Sequence, residues 1–203
     1  MTAPSEITTI IFDLGQVIVT FDHMDLCRRA SAHSPHAPEE LFARMFSSDL
    51  ILRFETGLLT QDDFCREACS LLDLTISCEQ FKTLWNTIFT LNAETAAIIE
   101  RLQAYTLMLL SNTNCWHFTY CLESYPVLRR FDDWILSYEV GACKPDRAIF
   151  QAALDRAAAR PQQCVYIDDI EQYTDAARSL GINAHTFTNA RRLEQYLTDM
   201  GIL

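Results

Sequence analysis

Glycine is scarce in this chain: five residues in 203, at Gly15, Gly57, Gly141, Gly181 and Gly201. No two lie close enough to build a G-x-G-x-x-G turn or a Walker loop, which removes both common nucleotide-binding fingerprints. Long apolar runs are missing too, and none approaches the ~20 residues of a membrane-spanning helix. The polar start, Met1 to Glu6, lacks the basic flank and apolar stretch of a signal peptide. Basic residues are outnumbered, 16 Lys+Arg against 27 Asp+Glu, for a formal net charge of -11. That balance opposes a nucleic-acid footprint, which needs clustered cations. Closely spaced cysteine pairs are absent as well. Cys27, Cys65, Cys69, Cys78, Cys115, Cys121, Cys143 and Cys164 contain no C-x-x-C. They read as reduced core or surface thiols of a cytoplasmic protein, with no structural zinc site.

What is present is enough apolar matter, 49% of residues, to build a core. The length suits one domain, or one core carrying an insert. Ile7–Phe12 is a β-branched apolar run that stops at Asp13, the pattern of a buried parallel strand. From Asp22 to about Phe89 the pattern is helical only. Four helices are predicted over 22–32, 38–46, 60–73 and 77–89, with Asp22 and Thr60 as N-caps. After Asn92 strands and helices alternate: helix 92–103, strand 105–110, helix 115–124, strand 133–137, helix 146–159, strand 164–167, helix 171–180, strand 182–187 and helix 190–199. Alternation of this kind implies an α/β fold with a parallel sheet, interrupted after its first strand by the helical block.

Ligands of open α/β sheets bind outside the carboxyl ends of the strands. The residues that follow each predicted strand are therefore the informative ones. Asp13 follows the first, Ser111-Asn112 the second, and Asp168-Asp169 the fourth, while Lys144 sits in the loop 141–146. Three carboxylates in one crevice repel each other unless a cation joins them. A hard divalent ion such as Mg²⁺, with oxygen ligands, resolves the conflict.

These residues carry a resemblance. Phe12-Asp13-Leu14-Gly15-Gln16-Val17-Ile18, Leu110-Ser111-Asn112, Lys144-Pro145-Asp146 and Tyr166-Ile167-Asp168-Asp169 resemble, in order and spacing, the four motifs of the haloacid dehalogenase-like hydrolase superfamily. Gly15, Leu110–Asn114 with His117, and the Glu-x-Gly turn of Phe54-Glu55-Thr56-Gly57 are similar to the small helical-cap phosphatase branch that includes a bacterial α-D-glucose-1-phosphate phosphatase. The resemblance implies a Rossmann-like core over 1–19 and 91–203, with an inserted four-helix cap over 20–90. It implies a Mg²⁺-dependent phosphatase for a small phosphorylated metabolite, a sugar phosphate among the candidates, working through an aspartyl-phosphate.

The implied roles run as follows. Asp13 is nucleophile and metal ligand. Asp169 is a direct ligand, Asp168 a water-mediated one, and the Gly15 carbonyl a third oxygen. Ser111 and Asn112 hold phosphate oxygens, and Lys144 neutralises the reacting charge. Asn114 and His117 are candidates for substrate contact or proton transfer, against plainer readings as an N-cap and a helix-face histidine. Glu55 and Phe54 are candidate specificity residues reaching in from the cap, and Trp85, Trp116 and Trp134 are read as packing. Asp22 suits an N-cap better than a catalytic acid.

Two positions depart from the family pattern. Most relatives have Asp where this chain has Gly15, and that Asp protonates the leaving group, a contribution worth ~10²–10⁴ in rate. Tyr173 stands where Asn often supports the metal. Two alternatives follow: a degenerate fold used for binding or regulation, suggested by Gly15 and Tyr173, and a metal-independent 2-haloacid dehalogenase, opposed by Asp168-Asp169. Monomer and homodimer both stay open.

Overall fold

The computed structural model describes residues 6–203, so the reading of Met1–Ser5 lies outside the described residues. The chain opens with β1 (Thr9–Phe12) and the short β2 (Val19–Phe21), then enters a helical block. The block comprises α1 (His23–Ala30), α2 (Pro38–Ser47), α3 (Leu50–Glu55), α4 (Gln61–Leu71) and α5 (Cys78–Asn86), and β3 (Phe89–Leu91) leads out of it. The remainder alternates: α6 (Ala93–Ile99), β4 (Thr106–Ser111), α7 (Cys115–Ser124), β5 (Asp133–Leu136), α8 (Ser137–Val140), α9 (Arg147–Ala157), β6 (Cys164–Asp168), α10 (Glu171–Ser179), β7 (Asn183–Thr186) and α11 (Ala190–Asp199).

Among the described residues the main sheet has the order β5-β4-β1-β6-β7, and every pairing in it is parallel. β1 occupies the centre because its four residues are buried on both faces. Ile10 and Phe12 enter one core layer, with residues of α6, α7 and α11, while Ile11 enters the opposite layer with Ile149 and Phe150 of α9. The strand period of two thus sends alternate side chains to the two helical layers.

The helical block has its own apolar cluster, in which Phe54 stacks on Phe64 with ring centroids 4.0 Å apart. Trp116 of α7 joins this cluster and donates through Nε1 to Gln61 Oε1 at 2.7 Å. The caps expected from sequence form: Asp22 accepts from Met24 N, and Thr60 from Asp63 N. α5 starts with a reciprocal Ser77–Gln80 capping box.

Several features differ from the sequence reading, among them the short α8, which falls where no helix was expected between strand 133–137 and helix 146–159. α3 is a fifth helix of the block among the described residues. Its six residues are nearly all large and its N-cap residue makes no side-chain hydrogen bond, so neither periodicity nor capping announces it. The helix predicted over 77–89 stops at Asn86, and β3 pairs antiparallel with β2, placing Phe21 opposite Phe89. Both connections between block and sheet therefore pass through one two-stranded ribbon. The thiols are not all reduced: Cys65 and Cys78 form a disulfide with Cα atoms 5.8 Å apart. Their separation of 13 residues has no motif spacing, and α4 and α5 bring them together only by packing. No described helix is long and apolar enough to cross a membrane.

Candidate active site

Because β4, β1 and β6 are adjacent and parallel, their carboxyl ends set Ser111, Asp13 and Asp168 side by side. The Asp13 N–H donates to the Ile167 carbonyl at 2.8 Å, carrying the β1–β6 ladder one residue beyond the strand. Lys144 arrives from the loop that follows α8. Its backbone N–H donates to Asn112 Oδ1 at 2.7 Å, and Asn112 Nδ2 donates back to the Lys144 carbonyl at 3.0 Å. Asp146 then caps α9 by accepting from Ala148 N. The loop is thereby pinned at both ends, and the side chain of Asn112 is spent on holding it.

The Lys144 ammonium is fully enclosed. It lies 2.8 Å from Asp13 Oδ1 and 2.6 Å from Asp168 Oδ2, and donates to the Leu110 carbonyl at 3.2 Å. The rings of Tyr173 and Tyr166 flank it, at 5.2 and 5.8 Å from their centroids. Tyr173 thus supplies an aromatic wall to the lysine. The acidic partners hold the Lys144 pKa above its ordinary value despite burial, so the ammonium form persists. Burial pushes the Asp13 carboxyl up to about 7, with Lys144 opposing and Asp168 adding to the rise. The short ion pair and a cation bound nearby both select its carboxylate form.

Asp168 is fully buried and accepts three hydrogen bonds. Oδ2 receives Lys144 and the Tyr166 hydroxyl, and Oδ1 accepts from Ile170 N at 2.8 Å. Asp169 is half-buried, with a pKa raised by that burial and by Asp168. It borders an open cleft shared with Gln16 and Asn189. Oxygens of Asp13, Asp168 and Asp169 lie within 4.8 Å of one another. This donor set is all hard carboxylate oxygen, without histidine or thiolate, and fits a small hard dication.

A cavity of about 70 Å³ opens between the strand ends and the helical block. The core contributes Gly15, Ser111 and Asn112 to it, and the block contributes Phe21, Glu55 and Trp85. Ser111 sits at the cavity wall with little solvent exposure. A Cβ at position 15 would lie 2.9 Å from Phe21 Cε1, so an acid there would displace the aromatic ring.

The structure puts Asn114 and His117 to structural use. Asn114 is fully buried, caps α7 by accepting from His117 N, and brings Nδ2 to 3.2 Å from His117 Nδ1. His117 Nε2 donates to the Trp85 carbonyl at 3.0 Å, and its ring stacks on Trp85. Both ring nitrogens are thus engaged, and burial lowers the His117 pKa to about 3. The ring borders the cavity with its face but has no proton to offer near neutrality. Phe54 points into the apolar cluster of the block, not into the crevice.

Glu55 does reach the cavity. It ends α3, and the turn after it packs directly on α8: a Cβ on Gly57, whose φ is +73°, would fall 2.3 Å from the Tyr138 carbonyl oxygen. Only glycine permits both the left-handed conformation and the close approach. Burial pushes the Glu55 carboxyl from an ordinary 4.5 to about 7, with Lys144 opposing and Asp13 adding. The sign of the linkage follows. Below pH ~4.5 folded and unfolded chains both hold this proton, between 4.5 and 7 only the folded one does, and the cost is complete above 7. Glu55→Gln is therefore expected to raise stability by ~1–3 kcal/mol at pH 8 and by nothing measurable at pH 4, read from urea unfolding at both values.

Sequence reasoning missed the Tyr166 hydroxyl, the Leu110 carbonyl and Phe21. The first two lie inside strands whose apolar pattern conceals any polar duty, and Phe21 reads only as a β-former. Glu55 carried a signal, the Glu-x-Gly turn, and was expected as a specificity residue reaching in from the cap; its place on the cavity wall agrees with that reach.

The family model for a haloacid dehalogenase-like hydrolase matches residues 7–181. Drimenol cyclase drtB of Aspergillus calidoustus is 28% identical over 206 residues, covering 96% of this chain, and the chain spans only 36% of that protein's length. D-ribitol-5-phosphate phosphatase of Bacteroides thetaiotaomicron is 24% identical over 200 residues, covering 95% of this chain and 97% of its own. A haloacid dehalogenase-family enzyme of Bacteroides thetaiotaomicron, solved in complex with magnesium and inorganic phosphate, superposes with a TM-score of 0.81 at 26% identity, over 90% of this chain and 95% of that one. With the family model matched over most of its length, on a parallel sheet that gathers the motif residues at its carboxyl edge, this chain belongs to the haloacid dehalogenase-like hydrolases.

Proposed function

We propose that the protein is a Mg²⁺-dependent phosphatase that takes the phosphoryl group of a small metabolite onto Asp13. The observation that carries this reading is the buried cluster in which Lys144 touches both Asp13 and Asp168 while Asp169 stays open to a cleft. A scaffold without catalysis gains nothing from enclosing these charges, since burying them is costly. A bound Mg²⁺ would supply charge neutralisation for the phosphoryl oxygens, with Asp13, Asp169 and the Gly15 carbonyl as its protein ligands and Asp168 behind water. In this reading an Asp13 oxygen attacks phosphorus and the bond to the leaving oxygen breaks. Lys144 holds Asp13 in line, and Ser111 with the backbone of Asn112 supports the phosphoryl oxygens. Asp168 also orients the lysine.

Residues 20–90 serve in this proposal as a cap. The ribbon of β2 and β3 joins it to the core, and the cavity beneath it takes the leaving group. The D-ribitol-5-phosphate phosphatase relative supports an alditol or sugar phosphate as the substrate class. The retained Asp168-Asp169 pair favours this chemistry over dehalogenation. With MgCl₂ the purified protein is expected to release inorganic phosphate from at least one member of an alditol- and sugar-phosphate panel, and EDTA to remove that activity. Phosphate release that is unchanged by EDTA, or absent across the panel, contradicts the proposal.

A further inference from the structure

We infer that Glu55, delivered by the helical block, is the catalytic acid and base that Gly15 does not provide; this rests on the phosphatase reading above. Three observations converge on it. The ordinary place for the acid, position 15, carries no side chain, and the Phe21 ring occupies the space where one would start. Glu55 shares the cavity wall with Gly15 and Ser111. The other titratable side chains of that wall are His117 and His23. His117 has both ring nitrogens engaged, and the Asn112 side chain is tied to the Lys144 backbone. His23, which also borders the cavity, is shifted by burial toward its neutral form, in which it has no readily donated proton.

The surroundings of Glu55 match the task. Asp13 and Lys144 face it from the core with opposite effects on its proton, and the Cys143 thiol meets its backbone carbonyl at 3.9 Å. Burial keeps the carboxyl protonated into the neutral range, as a donor at pH 7 requires. Gly57 fixes where it points, because the Glu55-Thr56-Gly57 turn is packed against the Tyr138 backbone.

The chemistry balances over two steps. In the first, an Asp13 carboxylate oxygen bonds to phosphorus, the phosphorus–oxygen bond to the leaving group breaks, and that oxygen takes the Glu55 proton to depart as an alcohol. In the second, the Glu55 carboxylate takes a proton from water as the water oxygen bonds to phosphorus. The Asp13–phosphorus linkage breaks, and phosphate leaves with Glu55 protonated again.

The test compares leaving groups. Wild type and Glu55→Gln are assayed with Mg²⁺ on p-nitrophenyl phosphate, whose leaving group needs no proton, and on the best alkyl phosphate of the alditol- and sugar-phosphate panel. For the alkyl ester, single-turnover phosphorylation is expected to fall at least ~10²-fold in Glu55→Gln. With p-nitrophenyl phosphate the variant keeps a stoichiometric burst of nitrophenolate, followed by slowed turnover, because the second step has lost its base. Equal loss on both esters, or no loss on either, overturns the assignment to Glu55 and leaves the phosphatase reading intact. Failure of the wild type on every ester overturns the phosphatase reading, and this assignment with it.

Discussion

Asp13→Asn is expected to lose at least ~10⁴-fold in phosphate release while remaining folded. The amide keeps the shape of the carboxylate and can still accept from Lys144 Nζ, which retains Asp168 and the Leu110 carbonyl as partners. What it loses is the nucleophile. Neither neighbouring aspartate can take over: Asp168 is enclosed and accepts from Lys144, Tyr166 and Ile170, and Asp169 borders a cleft on the Asn189 side. Circular dichroism should overlay the wild type, and the variant should still bind inorganic phosphate with Mg²⁺ by calorimetry. A variant that turned over within tenfold of wild type would place the nucleophile elsewhere.

Lys144→Ala is expected to cost ~3–5 kcal/mol of stability in the metal-free protein, with ~10²–10³-fold of activity. The ammonium is the only cation in contact with Asp13 and Asp168 among the described residues, and all three groups are buried. Its removal leaves two carboxyls face to face, and one must take up a proton. The pH dependence has a definite sign. The folded Lys144 pKa lies above its ordinary value of 10.5, so the pairing energy is fully present below that value. It fades only as pH rises through the still higher folded value. At neutral pH the wild type therefore has the whole contribution, and the deficit of Lys144→Ala should shrink as pH falls and Asp13 protonates. Urea unfolding at pH 8 and pH 5, with and without Mg²⁺, reads this out. A constant deficit across that range would mean that the lysine acts through packing alone.

The sheet was legible because its strands punctuate themselves. Ile7–Phe12 ends abruptly at Asp13, and Cys164–Ile167 ends at Asp168-Asp169, so each strand announced both its burial and its chemistry. What stayed hidden depended on packing between distant segments. β2 and β3 are three residues each and acquire meaning only by pairing with one another across 67 intervening residues. The disulfide joins two helices whose contact has no sequence signature. The site shows the same division. The motif residues Asp13, Ser111, Asp168 and Asp169 meet at the carboxyl edge of the sheet as their strand-end positions require, and the loop after α8 brings Lys144 to them. Asn114 and His117, chosen for proximity in sequence, satisfy each other. Glu55 was visible as a turn and candidate specificity residue, but its proposed acid–base duty follows from the Phe21 ring over Gly15 and from the Tyr138 backbone under Gly57, neither of which a one-dimensional reading contains.

Covalent transfer of phosphorus to Asp13 is read out by an acid quench in the millisecond range after mixing enzyme, Mg²⁺ and p-nitrophenyl phosphate, followed by borohydride reduction and peptide mass spectrometry. Asp13 is expected to convert to homoserine in up to one equivalent of enzyme, with no conversion in Asp13→Asn. Turnover without reduction at residue 13, or with reduction at another carboxylate, would contradict it.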